Sequence, residues 1–402
     1  MPALSYDPLS ELGPASRGRI YAELRERMPV YKSSVLAAWV LTRYADVSTI
    51  LRHPDALAFE LASFLRALSQ RGNLDLTSLI EFCSSISLLT RPPRHEPVRR
   101  MLTQALGRIW RMNLPERLEL HADQLLASGE RQGVIDLAAG YGCPLALFVI
   151  GTFFGVPEDD LRELGALARD LITVFERVVP SVSTVIKLDK AAAALIEYFV
   201  RLIASRRQNS GDDGTSLIVR LADEYLGCSD QELAGYCTFF FVAAEETTAS
   251  AISGAALILL QRQSLRARLS HDPSQLPNAV GEMLRLLTPV QWVARQLRID
   301  VSLEGQLIRA GEPIVLMLGA ANRDPAAFSN PDEPVLDRNG PESLVFAAGP
   351  YRCIGAQLAT FEVELAIRKL LEKPHIRLSS DSPVWTDRRN IAPLLQLQAC
   401  FG

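Results

Sequence analysis

Cys353 is the residue of this chain best equipped for chemistry. It closes the run Phe346-Ala347-Ala348-Gly349-Pro350-Tyr351-Arg352-Cys353-Ile354-Gly355, and a helix-like segment, Ala356 to Ala366, begins at once. A thiol at a helix start faces unpaired backbone N–H groups and the positive end of the helix dipole. Both favour the thiolate, the form that ligates metal, so the placement predicts a lowered thiol pKa at position 353. Gly349 and Gly355 let the backbone pass close to something flat and bulky, with Phe346 beside it. Taken alone, a cysteine in an apolar stretch is more often a small, inert core residue.

A second chemical cluster lies in Phe241-Val242-Ala243-Ala244-Glu245-Glu246-Thr247-Thr248-Ala249-Ser250. Carboxylates and hydroxyls in an apolar helix are costly unless satisfied. Thr247 is spaced to bond back to the carbonyl of Ala243, which loosens the helical ladder and admits water. A solvent-facing polar stripe is the alternative, but Phe239-Phe240-Phe241 and Ala255 to Leu260 flank the segment. Two cation-bearing pairs follow helical spacing: Glu282 with Arg285 at i,i+3, and His95 with Arg99 at i,i+4. As isolated features both read as ordinary surface pairs.

The elements that must position these residues are mostly helical. Helices are expected over 17–27, from Asp46, over His95 to Met112, through most of 116–270, and over about Leu276 to Leu287 before Pro289. Strand candidates are Ala38 to Thr42, Val293 to Arg298 and Ile314 to Leu318. Residues 54–90 read as irregular and mixed, and Asn322 to Gly349 as loop-rich. The fold class is therefore mainly α with a small β region. No linker, repeat or low-complexity block divides the 402 residues, so one domain over 1–402 is expected.

Composition narrows the function. Hydrophobic residues make up 48% of the chain, enough for a large core, and the net charge is −4. That balance gives no support to nucleic-acid or anionic-membrane binding. Cysteines at 83, 143, 228, 237, 353 and 400 form no Cys-x-x-Cys pair, so a zinc site or disulfide framework is disfavoured and a reducing cytoplasm fits. The N-terminus carries no apolar signal or anchor. Phe239 to Leu260 tempts a transmembrane reading, but its acids and hydroxyls favour a buried helix.

The run Phe-x-x-Gly-x-x-x-Cys-x-Gly at 346–355 resembles the haem-binding loop of the cytochrome P450 family, whose cysteine is the axial ligand of haem iron. Three further motifs occur in the family's order. Ala243-Ala244-Glu245-Glu246-Thr247-Thr248 resembles the oxygen-binding helix, with Ala244 where glycine is common and Glu245 where histidine is frequent. Glu282-Met283-Leu284-Arg285 resembles the Glu-x-x-Arg motif, which Arg338 would complete as a buried structural triad, with Pro334 where the family has phenylalanine. Arg91-Pro92-Pro93-Arg94-His95-Glu96-Pro97-Val98-Arg99 resembles the start of the helix that grips haem propionates, with Arg91 in place of aspartate.

The resemblance implies a single haem domain, with a minor β-rich part near the N-terminus, holding haem b. Cys353 would ligate iron. His95, Arg99, Arg295 and Tyr351 would face the propionates, and Phe346, Gly349, Gly355, Ala243 and Ala244 would border the macrocycle. Glu246 and Thr247 would hold water and deliver protons to bound dioxygen. The implied activity is monooxygenation of an apolar substrate (terpenoid, fatty-acyl, polyketide or aromatic), as in secondary metabolism. Its pocket would lie between the central helix, residues 54–90, residues 160–200 and Thr288 to Val293, with Phe82, Val290, Trp292 and Val293 as wall candidates and Phe59, Phe64, Ile80 and Val174 beside them. Electrons would come from a separate ferredoxin-type donor, drawn to a basic face of Arg100, Arg108, Arg111 and Arg352. A peroxide-driven peroxygenase and a non-catalytic haem protein that recruits or senses remain as alternatives.

Overall fold

Apolar residues at helical spacing recur along the whole chain, and the folded chain is correspondingly helix-rich. The computed structural model describes residues 7–86, 91–176, 181–209, 211, 213–379, 383–391 and 393–402. Its helices are α1 (Arg17–Arg27), α2 (Tyr44–Arg52), α3 (Leu61–Gly72), α4 (Thr77–Ser84), α5 (His95–Gly107), α6 (Leu114–Gln132), α7 (Cys143–Phe154), α8 (Glu158–Leu171), α9 (Val182–Gln208), α10 (Gly214–Tyr225), α11 (Asp230–Gln261), α12 (Gln263–His271), α13 (Leu276–Leu287), α14 (Leu318–Ala321) and α15 (Ala356–Leu371). The strands are β1 (Val30–Ser33), β2 (Ala38–Leu41), β3 (Ala56–Ala58), β4 (Val134–Asp136), β5 (Val293–Leu297), β6 (Val301–Leu303), β7 (Gln306–Ile308), β8 (Pro313–Leu316), β9 (Ile376–Leu378), β10 (Val384–Trp385), β11 (Leu394–Gln396) and β12 (Gln398–Phe401).

The spine is α11. Ser229 caps it by accepting the Glu232 N–H at 3.2 Å, and most of its residues from Leu233 onward are buried. A helix that is apolar all round must be surrounded, and α7, α8, α9, α13 and α15 pack on it. Among the described residues no single helix is long and apolar enough to cross a membrane.

A five-stranded sheet in the order β1-β2-β8-β5-β3 forms the main β portion. Only its β2–β8 pairing is parallel. This sheet carries Arg295, whose Cα neighbours Ile314 on one side and Ala58 on the other. The segment expected to be irregular, 54–90, holds a strand and two helices before residue 87. Residues 87–90 and 177–180, parts of two stretches expected to border the pocket, lie outside the described residues. The break between α3 and α4 is a left-handed Asn73 (φ 47°), a residue type that tolerates this conformation. That turn splits what reads as one mixed stretch into two short amphipathic helices.

Candidate active site

The loop before α15 brings Cys353 into the interior. Its backbone N–H donates to the Phe346 carbonyl at 2.9 Å, which folds the loop back on itself. Gly349 is required there. It has φ 71°, and a Cβ would stand 2.3 Å from the Leu51 carbonyl oxygen. A Cβ added at Gly355 would meet the Cys353 sulfur at 3.9 Å and nothing else within 4 Å beyond its chain neighbours. Cys353 itself is partly accessible. Its pKa is raised, against the sequence expectation. Enclosure by protein is the largest influence and outweighs the Gly355 and Ala356 N–H groups and the Arg99 and Arg352 charges, all of which lower it. The helix start does act as expected, but it needs a bound cation to complete the thiolate.

Across the interior, α11 presents an interruption in its burial. Ala243, Ala244 and Thr247 are partly accessible, whereas Phe239 to Val242 before them and Glu245, Glu246 and Thr248 among them are buried. Thr247 Oγ1 donates to the Ala243 carbonyl at 2.7 Å, the back-bond that the spacing suggests. Both carboxylates are paired. Glu246 is held by the Arg388 guanidinium, with Nη1 to Oε2 at 2.7 Å and Nη2 to Oε1. Glu245 accepts from Arg169 Nη1 on α8 at 2.6 Å and from the Cys143 thiol at 3.5 Å. Burial pushes Glu245 up to about 7, with Arg169 opposing it. Burial also raises Glu246, with Arg388 opposing.

The cationic residues gather on the sheet side. Arg295 is 3% exposed. Its guanidinium lies over the Tyr351 ring at 4.8 Å, and the His95 ring meets the same tyrosine at 4.5 Å between centroids. Arg295 Nη1 donates to the Ala294 carbonyl at 2.9 Å. Arg295 Nε and His95 Nε2 are buried without a partner. Desolvation lowers Arg295 to about 10 and also lowers His95 and Arg99. Desolvated basic groups, two of them with orphaned ring or guanidinium nitrogens, are the signature of a site shaped for an anionic group. A partly accessible thiol, a gap along α11 and orphaned donors together fit a flat cofactor bearing carboxylates.

The Glu282–Arg285–Arg338 cluster is assembled as the spacing suggests. Glu282 Oε1 accepts from Arg285 Nε at 2.8 Å and Arg338 Nε at 3.0 Å. Its Oε2 accepts from Arg285 Nη2 and the Val335 N–H, both at 2.9 Å. Phe328 supplies the aromatic floor that Pro334 cannot, with the two guanidiniums 5.2 and 5.8 Å from its ring centre. Arg91 turns away to the sheet, donating to the Ala58 carbonyl at 3.0 Å and to Gln296.

Wall candidates separate into groups. Phe82 is fully buried and packs on Phe239 of α11, and Val290 joins the same large cluster. Val293 packs with Leu51, Leu344 and Ala348. Trp292, just before β5, lies elsewhere, in a cluster with Tyr21, Leu24 and Met317. Phe64 is 47% exposed and is a surface residue. On the expected basic face, Arg100 pairs with Glu96 and Arg352 with Glu342, both exposed pairs. Sequence reasoning missed Arg169, Arg388, Cys143 and Phe328. Their only signal was the cost of leaving Glu245, Glu246 and two arginines unpaired.

Comparison with known proteins agrees with this geometry. Residues 38–397 match the cytochrome P450 family as a whole. The putative cytochrome P450 133B2 of Xylella fastidiosa is 31% identical, over 92% of this chain and 93% of its own length. The mycinamicin IV hydroxylase/epoxidase of Micromonospora griseorubida is 32% identical, over 89% and 88%. P450BioI, solved in complex with an acyl carrier protein ligated to hexadec-9Z-enoic acid, superposes with a TM-score of 0.87 at 28% identity, covering 96% of this chain and 98% of its own. A cysteine loop at the start of α15, a gap in the burial of α11 and a family match across nearly the whole length lead to one conclusion: this chain belongs to the cytochrome P450 family and is a haem-thiolate monooxygenase.

Proposed function

We propose that this P450 inserts one oxygen atom of dioxygen into a long apolar substrate of fatty-acyl or polyketide type, within the wider range of terpenoid and aromatic skeletons. It would bind haem b and draw electrons from a ferredoxin-type donor in trans. The lipid-bearing partner of one relative supports the fatty-acyl class, and the hydroxylase/epoxidase name of another supports oxygen insertion. The observation that carries the reading is the partly accessible patch of Ala243, Ala244 and Thr247 in the mostly buried middle of α11.

Cys353 would ligate the haem iron, and His95, Arg99 and Arg295 would hold the haem carboxylates, with Tyr351 packed between His95 and Arg295. When bound, the haem supplies the activation of dioxygen. The protein's own part is proton handling and exclusion of water. Thr247 spends its hydroxyl proton on the Ala243 carbonyl, so its lone pairs are left to accept from a water in the adjoining space. Glu246 stands one residue away as the acid that replenishes that water. The side chains of Phe82, Val290 and Val293 would keep the substrate's surroundings apolar, as in most small-molecule sites.

Two measurements test this. The reduced protein with carbon monoxide should show the red-shifted Soret band of thiolate ligation, and a band without that shift would sink the ligand assignment. Thr247→Ala should keep consuming reductant while product falls and peroxide rises. Unchanged product per reductant would remove Thr247 from proton delivery.

A further inference from the structure

Glu246 is gripped from an unexpected direction. Arg388 lies in the connection between β10 and β11, 142 residues further along the chain. The Glu246 side chain is 3% exposed and that of Arg388 is 17% exposed, so solvent screens the pair little. The segment that presents Arg388 is itself clamped. Glu176, just beyond α8, accepts the N–H groups of Arg389, Asn390 and Ile391 at 3.0, 2.9 and 3.0 Å. Asn390 adds three bonds of its own. Its side chain donates to the Phe175 carbonyl at 3.1 Å and accepts the Trp292 N–H at 3.0 Å, and its carbonyl accepts the Gln291 N–H at 3.0 Å. These six hydrogen bonds tie a short loop to the segment after α8 and to the residues before β5. They fix the base from which one guanidinium reaches the oxygen helix.

We infer that Arg388 is a positioning residue for proton delivery, holding the Glu246 carboxylate in one orientation, and that Glu176 makes this hold depend on the seating of the segment after α8. The inference rests on the proposed role of Glu246. A two-point guanidinium fork fixes the plane of a carboxylate as well as its place. Removing the fork frees Glu246 to rotate without deleting the acid. The consequence falls on the proton and not on substrate affinity.

The test uses the haem-loaded enzyme with a substrate found by spectral shift, and product formed per reductant consumed is the first readout. Arg388→Gln should lower that ratio by about tenfold, a part of the roughly 10²–10⁴-fold that a positioned proton-transfer group contributes, with KM nearly unchanged. Arg388→Lys should restore part of the ratio. The second readout is thermal melting. Arg388→Gln should lower the melting temperature less in a Glu246→Gln background than in the native chain, because the shared bond is already lost. If Glu246→Gln itself stays fully coupled, the acid role falls and this inference with it. If Glu246→Gln uncouples while Arg388→Gln does not, the inference alone is overturned. Should Arg388→Gln yield no holoprotein, Glu176→Gln weakens the clamp from its far end, and normal coupling in that variant overturns the inference equally.

Discussion

Glu282→Ala tests whether the buried ionic triad holds the fold. Glu282 is 7% exposed and Arg285 1%, and one carboxylate answers donors on Arg285, Arg338 and the Val335 backbone. Removing it strands two guanidiniums over the Phe328 ring, and breaking a buried pair in this way costs about 3–5 kcal/mol. Melting entropy is about 2.1 cal/mol/K per residue, so for 402 residues it is about 0.8 kcal/mol/K. The expected drop in melting temperature is therefore about 4–6 °C. Arg338→Met should cost less, because Glu282 keeps both Arg285 bonds and the Val335 N–H. Scanning calorimetry of the holoprotein at one fixed scan rate compares the three. A Glu282→Ala variant melting within a degree of the native chain, or an Arg338→Met variant that is the worse of the two, would refute the reasoning.

Two further predictions follow from buried charges. Glu245 titrates near 7 in the folded chain and near its ordinary 4.5 when unfolded, so the folded state binds the extra proton between those values. Its contribution to stability is complete below about pH 4.5 and is lost as pH rises through 7, by at most about 3 kcal/mol. Melting temperatures at pH 5.5 and 8 should differ more for the native chain than for Glu245→Gln, and equal differences would contradict the assignment. Arg295→Met removes a buried cation whose Nε has no acceptor. The apoprotein should melt higher, while haem transfer to apomyoglobin should speed up. A variant that is slower to lose haem would show that Arg295 does not serve the cofactor's carboxylates.

Local spacing carried most of the site. The cysteine loop, the Glu-Glu-Thr-Thr run and the Glu-x-x-Arg pair each place their residues within one turn or one helix, so their geometry follows from chain order. The partners did not follow. Arg388 and Arg169 reach Glu246 and Glu245 across 142 and 76 positions, and nothing near either arginine announces it. Phe328 replaces the missing aromatic at 334 from outside the motif, so position-by-position matching could not find it. The thiol was misjudged for a related reason. The helix start was visible in sequence, whereas the enclosure that outweighs it depends on the whole tertiary structure. In the early segment, α3 and α4 are short and broken by Gly72-Asn73, which hid their periodicity. Trp292 and Val293 show the limit of naming a wall from a stretch, since these chain neighbours pack into different apolar clusters.

The small sheet β4-β12-β9 has a bearing on how this protein is made. Its middle strand, β12, is antiparallel to both neighbours, and the Leu397 N–H reaches the Asp136 carboxylate from 261 residues away. During synthesis β4 emerges long before its partner is translated. At about 5–20 residues per second, that edge waits on the order of ten seconds or more with unpaired amides, a period in which chaperone capture or premature pairing between nascent chains competes with correct closure.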